Sequence, residues 1–363
     1  MPPGPPPPET AMTAPAPRPV FDGHNDALLK LHRAAAEPEG PRPTTLFAEG
    51  GPGHVDLPKL RAGGMMAGLY AVFVPSPDLA LDLDGPGATD VPLPPELPRT
   101  PSLAAAVEQA GLLHALDRAG HLRLCRTAAE AEAARESGVP GAFLHMEGAE
   151  AIDAEFRALE VFAAAGLVSL GPVWSRPNGF AHGVPFRFPA DPDTGPGLTD
   201  LGRALVRECD ARRILVDLSH LNARGVDDVA AEIDGPLVAT HSNAHALCPH
   251  ARNLTDRQLD MIRERDGMVG VNLATAFLRD DGRMGPLDTL EPVVRQFGYL
   301  AERLGETRVG LGSDFDGARV PAPIGDAAGL PALADALHAA FGPETAERLL
   351  WSNWMELIRR RRG

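Results

Sequence analysis

The chain has 363 residues, 44% hydrophobic and 23% charged, a composition that supports a large buried core and excludes wholesale disorder. Its formal charge of −15 argues against nucleic acid or an anionic membrane as a partner, and no apolar run is long enough to span a bilayer. Three cysteines without paired spacing, Cys125, Cys209 and Cys248, disfavour a disulfide framework and fit a reducing cytoplasm.

Residues 1–19 are rich in Pro and Ala and lack the basic and apolar regions of a signal peptide, so they are expected to be a disordered leader before a single domain at 20–363. Short apolar runs then alternate with amphipathic stretches, which is the pattern of β/α units on a parallel sheet. Eight strands are predicted, at 20–24, 68–74, 141–146, 167–173, 214–219, 237–241, 267–273 and 309–313. Helical periodicity is clearest at 102–119, 199–210, 256–265, 292–304 and 330–341. Together these predict an α/β fold, a single (β/α)8 TIM-type barrel of amidohydrolase-like kind. Two long connections interrupt the rhythm. Residues 75–101 read as a solvated insertion with an oligomer contact as the alternative, which leaves a homodimer open; residues 174–197 follow a strand's carboxyl end, where barrel active sites lie.

Ligand-type residues close several of the strand runs. His24 and Asp26 are two apart, a spacing that puts both on one face of a strand. Glu147, His220 and His241 each end a later run, and Asp314 follows the last. Barrel topology gathers such ends at one mouth, where unpaired His and acidic groups are expensive to desolvate unless they hold a metal. Five ligands suit two divalent ions: Glu147 gives one oxygen to each, His24 and Asp26 complete one shell, and His220 and His241 the other. Two ions sharing a hydroxide point to hydrolysis, with Asp314 carrying the proton and Asp316 as the alternative. His145 alternates with Glu147 and reads as a partner of a ligand, not a ligand. His245 and the remaining histidines read as surface or packing residues.

The segments Asp22-Gly23-His24-Asn25-Asp26, Glu147-Gly148, Asp217-Leu218-Ser219-His220, His241-Ser242-Asn243, Arg252-Asn253-Leu254 and Gly312-Ser313-Asp314-Phe315-Asp316-Gly317 resemble the membrane (renal) dipeptidase family of binuclear zinc peptidases. The resemblance extends from about Phe21 to Asn353. It implies a (β/α)8 barrel that hydrolyses dipeptides and tolerates a D-residue at the carboxyl position. It also implies two Zn2+ ions (or other divalent metals), Asp314 as proton carrier, and Arg252 on the substrate's free carboxylate. Where many members carry a substrate-binding His, this chain reads Pro172-Val173-Trp174. Trp174 is therefore a candidate pocket wall for a bulkier or aromatic substrate, and His182 a candidate substitute for the missing imidazole. Two other readings stand beside the dipeptidase: a binuclear amidohydrolase acting on another amide, a lactone or a modified amino acid, and a barrel that binds without catalysis. The secretion and lipid anchoring of the family's animal members are not expected here.

Overall fold

The computed structural model of the chain describes residues 17–37, 40–77 and 89–363. Residues 1–16 of the expected leader and 78–88 of the first long connection lie outside the described residues. The eight strands of the main sheet are β1 (Val20–Asn25), β2 (Met65–Phe73), β3 (Gly141–Glu147), β4 (Leu167–Gly171), β5 (Leu215–Val216), β6 (Val238–Ala239), β7 (Met268–Asn272) and β8 (Val309–Gly312). All pair in parallel with their neighbours in chain order, and β8 returns to β1 with Leu311 opposite Asp22. A bridge between Asp217 and Val238 joins β5 to β6 and completes the ring. A two-residue strand, Arg123–Leu124, pairs with the start of β3.

Helices fill every crossover, as right-handed β/α connections require. Each of the five predicted helices is present, from Arg99–Arg118 to Leu330–Phe341. Local chemistry explains their starts. Thr199 accepts from the Gly202 amide ahead of Asp200–Ala211, and Thr255 forms a reciprocal capping box with Gln258 ahead of Asp256–Glu264. Further helices lie at Ala27–Ala35, Ala128–Glu136, Arg157–Ala165 and Ala223–Glu232.

The barrel interior is divided along its axis. At the strands' amino ends, Phe21, Leu69, Phe143, Val168, Leu215, Val238 and Met268 pack with Trp351, Trp354 and Met355 from the C-terminal segment. The helix Asn353–Arg362 thereby plugs the barrel floor. Trp354 stacks on Phe21 at 5.7 Å between centroids and donates its indole N–H to Leu311 O at 2.8 Å. A Cβ added at Gly23 or Gly310 would lie 2.4 Å from this indole, so both strands need glycine where they pass it. Toward the carboxyl ends the interior turns polar, with His24, His145, Glu147, Asp217, His241 and Asn272 all buried.

Residues 89–101 of the first long connection are exposed or half-buried, as expected of a solvated insertion. Asp90–Val91 pairs antiparallel with Phe186–Arg187, so the two connections meet beside the barrel mouth.

Candidate metal centre

The spacing argument for His24 and Asp26 is corrected in its detail. β1 ends at Asn25, and Asp26 is the N-cap of helix Ala27–Ala35. Within β1, Phe21 and Gly23 both face Trp354, yet the His24 ring lies 5.3 Å from that of His145 and 3.8 Å from that of His241. The pairing with β2 is irregular between Asp22 and Asn25, and this irregularity turns His24 inward. His220 and Asp314 also lie beyond their strands, each at a positive φ (68° and 61°) that aims the side chain across the mouth.

The five expected ligands converge on Glu147. Its Oε1 is 3.0 Å from His220 Nε2 and 3.3 Å from His241 Nε2, while its Oε2 is 3.7 Å from His24 Nε2. His24 Nε2 is in turn 3.5 Å from Asp26 Oδ2. Donor atoms of His24, Glu147 and His241 lie within 4.8 Å of one another, as do those of His24, Asp26 and Asp314. Ligands about 2.0–2.1 Å from one tetrahedral ion sit about 3.3 Å apart, close to the separations around Oε1.

Hydrogen bonds identify which ring nitrogens are free. Thr240 Oγ1 donates to Asp217 Oδ2 at 2.6 Å, so it accepts from His241 Nδ1–H at 2.8 Å and leaves the lone pair on Nε2. Ser175 Oγ bonds His220 Nδ1 at 2.8 Å, and the Arg252 guanidinium donates to His220 Nε2 at 3.2 Å, which marks that nitrogen too as unprotonated. The two Nε2 atoms nevertheless face each other at 3.1 Å with Glu147 Oε1 beside them. Two lone-pair nitrogens beside an ionised carboxylate repel unless a proton or a metal cation joins them.

The electrostatics agree. Burial draws His220 and His241 well below the usual histidine range, with Arg252 and His24 adding to it. Burial and the neighbouring Asp26 and Asp314 carboxylates outweigh His24 and hold Glu147 well above the usual carboxylate range. At His24 burial opposes charge, but Glu147, Asp26 and Asp314 prevail and lift it to about 10. A proton would satisfy those carboxylates poorly, because neither ring nitrogen of His24, nor Asp26 Oδ1, has a hydrogen-bond partner among the described residues. A divalent cation fits the donor set better than a proton does.

Asp314 joins this cluster. Its Oδ2 accepts from Asn272 Nδ2 at 3.0 Å, and a Cβ on Gly317 would meet both Asp314 Oδ1 (2.4 Å) and Asp26 Oδ2 (2.2 Å). Asp316 is committed elsewhere: its carboxylate accepts from the His54 and Val55 amides at 2.7 and 3.2 Å. Asp22 fixes the turn that carries Asp314 by accepting from Ser313 N at 2.7 Å and Ser313 Oγ at 2.8 Å. His145 is fully buried, 3.6 Å from Asp217 Oδ2 and beside the His24 ring. Sequence reading missed Asp22, Ser175, Asp217, Thr240 and Asn272 as supports of the site, although the first and third sit inside the motif segments.

Arg252 is buried, with Nη1 on Ser242 Oγ (3.3 Å), Nη2 on His241 O (3.2 Å), and its guanidinium carbon 5.3 Å from the Phe277 ring centroid. A cleft of about 270 Å3 opens over the cluster, lined by Asp26, Glu147, Trp174, His220, Phe277 and Asp314 among others. Trp174 stands in its wall, 5.7 Å from the His220 ring. His182 does not line the cleft: its ring lies against Gly195, so close that a Cβ there would be 2.6 Å away. The loop 174–197 thus carries the indole to the site and holds the imidazole apart from it.

A family model described as membrane dipeptidase (peptidase family M19) matches residues 12–361. A metallo peptidase from Rhodobacter sphaeroides, solved with a phosphinate mimic of the dipeptide L-Ala-D-Ala, is 49% identical, with a TM-score of 0.90 over 96% of this chain and 100% of that one. The solved structure of dipeptidase AC, a metallo peptidase of the same family, is 50% identical, with a TM-score of 0.88 over 95% and 99%. A Klebsiella pneumoniae protein known as "Uncharacterized protein in pqqA 5'region" is 48% identical over 242 residues, 66% of this chain and 89% of that protein.

Proposed function

The chain belongs to the membrane dipeptidase family, peptidase family M19, and from that premise we propose that it is a metal-dependent dipeptidase with a binuclear zinc centre. The observation that carries this reading is the division of Glu147, one oxygen toward His220 and His241 and the other toward His24. We assign His24 and Asp26 to one ion, His220 and His241 to the other, and Glu147 to both. When bound, such a pair would polarise the scissile carbonyl and acidify a water enough for it to attack at neutral pH.

The remaining steps belong to side chains of the chain itself. Arg252 binds the free carboxylate of the dipeptide through its planar fork and fixes the position of the amide. Asp314, oriented by Asn272, accepts the proton released by the attacking water and delivers it to the departing nitrogen. The raised proton affinity of Asp314, caused by burial and the Asp26 charge against the opposing pull of His24, suits a carboxylate that must hold a proton between two steps. A cleft of about 270 Å3, just under the roughly 300–1,000 Å3 typical of ligand sites, suits a substrate as small as a dipeptide. The bound mimic of the Rhodobacter relative supports an L,D-dipeptide as the first substrate to try. We further place residues 20–363 in one barrel domain. The three cysteines are free and buried, and no helix among the described residues is long and apolar enough to cross a membrane; the cysteines support a cytoplasmic setting.

The test is elemental analysis and L-Ala-D-Ala hydrolysis on one purified sample. Two equivalents of zinc per chain are expected, with activity abolished by exhaustive chelation and restored by added Zn2+. Full turnover by metal-free protein would refute the proposal. Trp174 in the cleft wall also motivates a second reading, with another amide or a lactone as substrate, which robust turnover of plain dipeptides would eliminate.

A further inference from the structure

A second buried charge pair lies outside the metal cluster. Arg176 and Glu150 are buried, with both side chains fully inaccessible, and Arg176 Nε and Nη2 reach Glu150 Oε1 at 3.2 and 2.9 Å. Removing two charges from water without a catalytic use is expensive, and a pair kept at that expense is best explained by what it orders. Arg176 orders the rim of the cleft. Its Nη1 donates to Ser76 Oγ at 2.7 Å and its Nη2 to Val74 O at 3.0 Å, which ties the segment after β2 to the loop after β4. Its guanidinium carbon lies 5.5 Å from the Trp174 ring centroid and 5.8 Å from that of Phe73. A tight turn with Arg176 N on Trp174 O at 2.7 Å fixes the backbone from which the indole projects.

We infer that the Arg176–Glu150 pair is a positioning device that fixes Trp174 and Phe73 as one wall of the cleft, and that this wall selects dipeptides with an apolar residue on the amino side of the scissile bond. This rests on the dipeptidase reading above. Leu29, Phe73 and Trp174 form one apolar cluster, and Phe73 and Trp174 pack ring to ring at 5.1 Å. A separate cluster, Ala274, Phe277 and Ala318, lines another part of the cleft, and the Arg252 guanidinium lies over the Phe277 ring. A dipeptide with its carboxylate on Arg252 therefore leaves the Trp174 wall to the side chain of its first residue. The Leu29, Phe73 and Trp174 surface is carbon apart from the indole N–H, with Ser76 and Arg33 elsewhere in the cleft lining, so a polar side chain buried against it regains at most one of the hydrogen bonds it made to water.

The test compares kcat/KM for L-Leu-D-Ala and L-Asn-D-Ala, two dipeptides of similar bulk. Wild-type enzyme is expected to prefer the leucyl substrate by at least about tenfold. Trp174→Leu should reduce that ratio severalfold. Arg176→Lys keeps the charge against Glu150 but loses the fork and the planar stack, and should lower the ratio in the same direction, mainly by raising KM for the leucyl substrate. A purely structural role for Arg176 would reduce the amount of active enzyme for both substrates alike and leave the ratio unmoved. An unchanged ratio in Arg176→Lys, or no leucyl preference in the wild type, overturns the inference while leaving the dipeptidase reading intact. Absence of turnover of both dipeptides while L-Ala-D-Ala is hydrolysed overturns the inference alone, and absence of turnover of all three overturns the dipeptidase reading with it.

Discussion

The hydroxyl of Thr240 decides which nitrogen of His241 is available, and it can do so because Asp217 takes its proton. Thr240→Val keeps the shape and removes both hydrogen bonds, so His241 loses the partner that sets its tautomer. Metal affinity should fall about 10–100-fold, as it does when the partner of a ligating His is removed. Competition with a chelator of known affinity measures this, and Thr240→Ser should restore most of the loss. Equal affinity in Thr240→Val would mean that the ring is held by packing alone. These supports explain why the site was only partly legible. His24, Asp26, Glu147, His220 and His241 stand out because ligand-type residues ending apolar runs are rare, whereas Ser175, Thr240 and Asn272 belong to residue types found all along the chain. Their roles depend on which atom of a ring faces them, and sequence spacing does not encode that.

At the level of elements, β3 and β8 lie close to their predicted spans because continuous apolar runs in fully buried strands leave little choice. β5 and β6 were expected to reach Ser219 and His241 but end at Val216 and Ala239, since the chain must leave the ladder to turn His220 and His241 toward Glu147. The C-terminal helix carries a consequence that its basic tail conceals. Trp354 fills the floor of the barrel against Phe21, and its N–H is satisfied by Leu311 O. Trp354→Ala would leave a cavity between β1 and β8 that Gly23 and Gly310, having no side chains, cannot fill. Large-to-small changes of this kind lose about 3–5 kcal/mol, which urea denaturation would register as a lower midpoint. A loss under about 1 kcal/mol would show that the floor repacks.

For the molecule as a whole, an apolar floor stabilises the barrel while the mouth gathers charge that the fold alone satisfies poorly. Ligands that bind only the folded state add about 2.7 kcal/mol per site at a hundredfold excess over Kd, so chelation should lower Tm by several degrees. The sign of a Glu147→Gln change then depends on the metal. Burial raises the proton affinity of Glu147 in the fold, so its neutral form is favoured there and that contribution is lost as pH rises above the usual carboxylate range. In metal-free protein Glu147→Gln locks in the neutral form that burial favours, so it removes the cost of ionising the group at higher pH and should raise Tm there. With metal present the same change removes the group shared by both halves of the cluster and should lower Tm relative to wild type. Thermal melts of both proteins, with Zn2+ and after chelation, give four values, and the ordering of the two proteins should reverse between conditions. A variant less stable than wild type in both would mean that Glu147 serves the fold rather than a metal, because a purely structural carboxylate has no reason to exchange sign with the ion.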